Sequence, residues 1–176
     1  MRQNDKRRLA RDISSLLFDN VDLIEKLTPR QLNRSSDAFG GEDTVGRHFR
    51  HIFNHVESFL NGLSAKYIDY EARQRNPQIE TNLLKAKEYA SNVQERFHLR
   101  SETSPLFYEE RIRIHEKPYG NFDSTVQAQM LYLYHHTTHH DAMIRMILFD
   151  DKNFDRNLIN DSFGIAPSTL RYQQNK

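Results

Sequence analysis

The chain carries nine histidines and no cysteine, and seven of the nine fall into two groups. His48, His51 and His55 form one group; His135, His136, His139 and His140 form the other. Imidazole is the commonest protein ligand of the late first-row divalent metals, and here no thiolate competes with it. On an α-helix each residue advances about 100°, so side chains four apart lie one turn up and about 40° round. His136 and His140 therefore share a face, with His139 near it and His135 turned away. Such a pair clamps one ion at nitrogen–metal distances of about 2 Å. Two ligands bind weakly, and a third makes a site with a position left for water or substrate. His48, His51 and His55 are spaced by three and four and form one stripe, so any of them suits that role. Three histidines from two helices around one divalent ion is the reading these spacings support. The competing reading holds some of the rings as structural groups bonded to carboxylates or backbone.

These residues need long helices to carry them. Apolar residues at helical spacing mark four: about Lys6 to Leu27, Thr44 to Leu60, Ile79 to Phe97, and Asp123 or Ser124 to Phe149. Pro29 is expected to end the first, Asn61-Gly62 the second, and Asp43 or Thr44 to cap the second. The stretch from Arg30 to Glu42 reads as a polar loop, and Tyr67 to Asn76 as a charged, aromatic loop. Leu106 to Lys117 alternates in part and suggests one short extended segment. The tail after Asp150 reads as polar. Four helices predict an all-α chain built as a four-helix bundle, a fold that places metal sites between facing helices.

Length and charge narrow the function. A chain of 176 residues is expected to form one domain, 1–176. Lysine plus arginine number 25 against 24 acidic residues, a balance unlike that of a dedicated nucleic-acid binder. Only the run Lys6–Arg11 (KRRLAR) points the other way. The absence of cysteine removes disulfides, iron–sulfur clusters and thiol nucleophiles, and it fits a cytoplasmic protein. No run of about 18 apolar residues predicts a membrane span, and the basic N-terminal stretch lacks the apolar core of a secretory leader. Serine-triad, phosphate-loop and dinucleotide signatures are missing.

The block TVGRHFRHIFNHVESFLNG (44–62), followed by HHTTHHDAMIRMIL (135–148), resembles the DinB-like (DinB/YfiT) superfamily of metal-dependent enzymes. YIDYEARQRNPQIETN (67–82) and FGIAPSTLRY (163–172) are similar to one branch of it. The resemblance implies an up-down-down-up bundle, often a homodimer, with a three-histidine site for a divalent metal such as nickel or zinc. Carried over by position, the ligands are His51, His136 and His140, with His55, His48 and His139 as alternates. Characterised relatives include thiol-dependent S-transferases and a mycothiol-dependent isomerase. The resemblance therefore implies hydrolase or thiol S-transferase chemistry on a small-molecule substrate. Without cysteine in the chain, any thiol must be a low-molecular-weight cosubstrate.

Other residues have candidate roles around such a site. Arg73 and Arg75 stand two apart in a polar loop and suit an anionic substrate, since a guanidinium grips carboxylate or phosphate through a fork of N–H donors. The plainer reading pairs them with Glu71 or Glu80. Glu57 and Asp141 are candidates to orient an imidazole through its second nitrogen, and Tyr132 and Tyr134 to line a cavity. The rival from another class is a non-catalytic bundle holding a structural metal or none.

Overall fold

The computed structural model describes residues 3–37, 41–108 and 111–174. Four long helices dominate: α1 (Gln3–Lys26), α3 (Val45–Ala65), α5 (Leu83–Thr103) and α6 (Val126–Phe149). Between them lie the short helices α2 (Pro29–Leu32) and α4 (Pro77–Thr81), and α7 (Pro167–Gln174) follows. In α1 the buried stripe is Ala10, Ile13, Leu17, Asn20 and Ile24, the spacing expected of one helix face. Pro29 does not simply end a helix. Thr28 and Gln31 form a reciprocal capping box, and Pro29 opens the single turn of α2. Glu42 and its neighbours connect onward through an isolated bridge between Ser35 and Thr44. Residues 38–40 of the expected loop lie outside the described residues.

Thr44 caps α3 by accepting from the Arg47 N–H. The helix then runs past the expected stop at Gly62 and ends at Lys66, which takes the left-handed conformation at φ 52°. Gly62 is there for close approach: a Cβ would stand 2.6 Å from the Tyr67 carbonyl oxygen. The third expected helix is two. Asn82 leaves helical geometry and caps α5, cutting α4 away from it.

The chain is mainly helical as expected, but not wholly so. Three short strands, β1 (Tyr67–Asp69), β2 (Ile112–Glu116) and β3 (Gly120–Ser124), form a sheet in that order, β1 parallel to β2 and β2 antiparallel to β3. Ile68 pairs with Ile114 in register. Gly120, at φ 88°, opens β3 after the turn. Asp123 and Ser124 lie in β3, so the cap of α6 is Thr125. Glu109 and Glu110 of the expected extended segment lie outside the described residues. The tail also differs from expectation, since Phe154, Ile159 and Phe163 are buried. Arg145 fixes it by donating to the Asp161 and Phe163 carbonyls, both at 3.0 Å.

Each long helix packs on two others: α1 on α5 and α6, α3 on α5 and α6. α3 is buried along most of its length, and the rings of Phe59, Phe97 and Phe107 close one end of the core at centroid separations of 5.3 to 6.4 Å. Among the described residues no helix is long and apolar enough to cross a membrane.

The close fit of α4 on α3 leads to one prediction. A Cβ on Gly46 would fall 1.9 Å from the Glu80 carbonyl oxygen, which is backbone and cannot turn aside. Gly46→Ala is expected to cost about 2 kcal/mol of stability, as overpacked sites do, and to push α4 away. Urea unfolding measures it. An unchanged midpoint would mean that α4 is not seated on α3.

Candidate metal centre

The facing surfaces of α3 and α6 meet at the histidines. His51 Nε2 stands 3.1 Å from His136 Nε2. The ring centroids of His51 and His140, and of His136 and His140, are both 4.5 Å apart. One ligand atom from each of His51, His136 and His140 lies within 4.8 Å of the others, and all three rings are half-buried. Helix geometry explains the set. On α6 the core stripe is Val126, Met130, Leu133, Thr137, Ile144 and Leu148, and His136 sits about 90° and His140 about 50° to its side. They therefore face the flank of α3 across the packed seam rather than entering the core.

Burial is the first cause that keeps these rings uncharged; neighbouring rings reinforce it, and at His51 and His136 so does Arg73. His51 is lowered to about 2, and His136 and His140 to about 3. Neutral imidazoles offer lone pairs, which is the form a metal needs. His136 Nδ1 is also buried without a hydrogen-bond partner. Three neutral nitrogen donors converging on one point fit a divalent cation of the late first row.

The other two histidines on the α3 stripe are engaged differently. His55 Nδ1 is 2.9 Å from the His51 carbonyl oxygen and must donate to it. Its Nε2 then accepts from Arg73 at 3.3 Å, so both nitrogens of His55 are occupied. His48 is buried, with Nδ1 3.0 Å from Nδ1 of His140. It braces His140 from behind instead of joining the three. His139 is exposed and meets the edge of the His140 ring at 5.2 Å. His135 is exposed against Tyr134.

Neither carboxylate expected to orient an imidazole is placed to do so. Glu57 takes the Tyr89 hydroxyl and Arg96, each at 2.8 Å. Asp141 points to α1, fully buried beside Asn20, and burial holds its pKa well above the carboxylate range. Tyr132 does flank the site, with its ring 5.3 Å from those of His136 and Tyr70. Tyr70 was not singled out by its sequence context. It is buried, stacks on His55 at 5.3 Å and donates from its hydroxyl to Gln129 at 3.0 Å. Tyr134 lies on the opposite flank, in a groove with Arg8 and Leu131.

A cleft of about 530 Å³ opens onto the cluster, with His51 and His140 among its walls. Arg50, Arg73 and Arg75 line it, so the loop after β1 does bring its two arginines to the mouth of the site. Arg73 also donates to the Tyr70 carbonyl, which pins the loop over α3. Arg50 pairs with Glu80 of α4.

A mainly helical fold with three neutral imidazoles gathered across one helix seam, open to a cleft, defines a class of helical proteins equipped to hold a metal ion. A sequence model described as the DinB superfamily matches residues 19–144, and the chain belongs to that superfamily, which is metal-associated. No curated protein and no solved structure matches it.

Proposed function

We propose that the protein is a metal-dependent enzyme in which His51, His136 and His140 hold one divalent ion, nickel or zinc, and whose reaction is hydrolysis or thiol S-transfer. The observation that carries this is the convergence of one nitrogen from each ring within 4.8 Å, with His51 and His140 lining a solvent-facing cleft. When bound, such an ion is a Lewis acid that lowers the pKa of a thiol or water. The chain's own residues do the rest. His48 fixes the orientation of the His140 ring through the contact between their Nδ1 atoms. His55 and Arg73 lock the loop against α3. Tyr70 and Tyr132 wall one side and limit water there. The substrate is a small molecule, since the cleft has the size of small-ligand sites. A thiol cosubstrate comes from solution because the chain has no cysteine. The protein acts in the cytoplasm as a single-domain chain, pairs as a homodimer and takes no nucleic acid.

The same reading includes an up-down-down-up order of the long helices. It is supported by which residues meet. His48 meets His140 and His55 meets His136, so α3 and α6 run in opposite senses. Ser14 meets His98 and Glu25 meets Lys87, so α1 and α5 do likewise. Tyr89 lies against Asn54 and Arg100 against Leu60, so α3 and α5 run together.

Metal-loaded protein assayed on a panel of activated esters, and on alkyl halides or epoxides with added thiols, tests the reaction. Turnover that vanishes on chelation supports it; no turnover on either class with the metal in place would overturn it. A finer expectation separates the α3 histidines. His55→Gln should retain the metal, whereas His48→Ala should weaken affinity about tenfold through loss of the brace. Competition against a chromogenic chelator measures both, and loss of the metal in His55→Gln would move the ligand set to that residue.

A further inference from the structure

The cleft over the histidines has an unbalanced charge. Four guanidinium groups line it, those of Arg47, Arg50, Arg73 and Arg75, against two carboxylates, Asp43 and Glu80. Arg47 pairs with Asp43 at 3.2 Å, and Arg50 pairs with Glu80. Among the described residues, Arg73 meets uncharged acceptors, the Tyr70 carbonyl and the His55 ring. Arg75 is exposed and has no ion-pair partner among the described residues. Two positive charges are left that no side chain of the cleft balances, and concave walls of low polarizability concentrate their field.

A second observation concerns Arg50. Its residue is 9% exposed, yet its Nε is a buried donor with no acceptor. A buried N–H without a partner is costly. Glu80 uses only one arm of the guanidinium fork, and a fork of this shape is made for two oxygens. Arg47, Arg73 and Arg75 line the same cleft as Arg50, and an anion entering it relieves the crowding of like charges.

We propose that the cleft binds a small dianion, a phosphate monoester or a dicarboxylate, gripped by Arg50 and Arg75 with Arg73 beside them, next to His51 and His140. This names the substrate class of the proposed metal site and rests on that reading for its catalytic meaning, although anion binding itself does not require the metal. The cleft volume of about 530 Å³ suits a molecule of metabolite size, not a polymer. Thiol cosubstrates that bear carboxylates meet the same requirement.

The test is calorimetric titration of chelator-treated full-length protein with inorganic phosphate and, separately, with succinate, at constant ionic strength. The parent is compared with Arg75→Gln and Arg50→Lys, and melting temperatures confirm that each variant is folded. Arg75→Gln removes a charge that holds no internal partner, so folding should be untouched. Arg50→Lys keeps the charge but removes the fork. Both variants are expected to weaken the tighter probe about fivefold or more, and that probe identifies the oxyanion preferred. Equal affinity in the parent and Arg75→Gln for both probes would overturn the proposal. So would binding that appears only after metal is restored and ignores both substitutions. The two readings separate cleanly. A chain that takes up no metal but binds phosphate through Arg75 retains the anion site and loses the metal centre. A chain that loads metal but shows no arginine-dependent binding does the reverse.

Discussion

The purified, untagged protein is expected to carry about one divalent ion per chain, and a His136→Ala, His140→Ala double variant to carry none. Two of three converging nitrogens are removed in that variant, and a lone His51 binds a divalent ion too weakly to survive purification. The fold should persist. Both rings lie to the side of the core stripe of α6, and alanine is the best helix former. Removing two rings that are held neutral at a cost also relieves desolvation rather than creating it. Elemental analysis gives the stoichiometry and circular dichroism the fold. If the parent contains no metal after incubation with nickel, zinc and manganese, the metalloenzyme reading falls. If the variant unfolds, the histidines hold the helices together and the structural alternative gains.

Lowering the pH from 7 to 5 is expected to destabilise the metal-free protein by on the order of 3 kcal/mol. The sign follows from the direction of the shifts. An unfolded histidine titrates at about 6.5, whereas His51 in the fold is lowered to about 2, His136 and His140 to about 3, and His55 to about 4. Below pH 6.5 the unfolded chain therefore binds protons that the folded chain refuses. The stability conferred is complete above pH 6.5 and lost as the pH falls toward the folded values. Each ring could lose at most about 2 kcal/mol by pH 5 at 1.36 kcal/mol per pH unit. The rings are partly solvated and share their protons, so the total is discounted well below four times that figure. Urea midpoints at the two pH values, with chelator present, measure it. A His51→Gln, His136→Gln, His140→Gln variant should lose most of the dependence. Equal parent midpoints at both pH values would show that the rings accept protons without strain.

The candidate site was legible in part, and the reasons differ residue by residue. The pairing of His136 with His140 is a consequence of helix pitch and needs no tertiary information. The choice among His48, His51 and His55 was closed to inspection of the sequence, since all three share one stripe. It turns on what meets each second nitrogen. His55 is engaged by the carbonyl one turn back and by an arginine from a loop, and His48 meets the back of His140. Asp141 reads as a surface residue until its helical phase is compared with Leu133 and Thr137, which places it inward against Asn20 of α1. The fold shows the same division. The four long helices follow from apolar periodicity. The three-residue strand Tyr67–Asp69 does not, being too short to display a period. Gly62 has the type of a helix stop, but close approach of the next segment, not chain reversal, demands a glycine there.

The loop bearing Arg73 and Arg75 is tied down at both ends. Upstream, Ile68 is buried in the sheet; downstream, α4 sits on Gly46. The span between those anchors is short, so replacing residues within it changes little of the chain entropy of folding. Mutation can therefore explore the rim of the cleft while the histidines beneath remain set by two long helices. Such an arrangement separates the evolution of ligand preference from that of the metal-holding framework. A lineage built on it can change what it binds many times without having to reinvent how it folds.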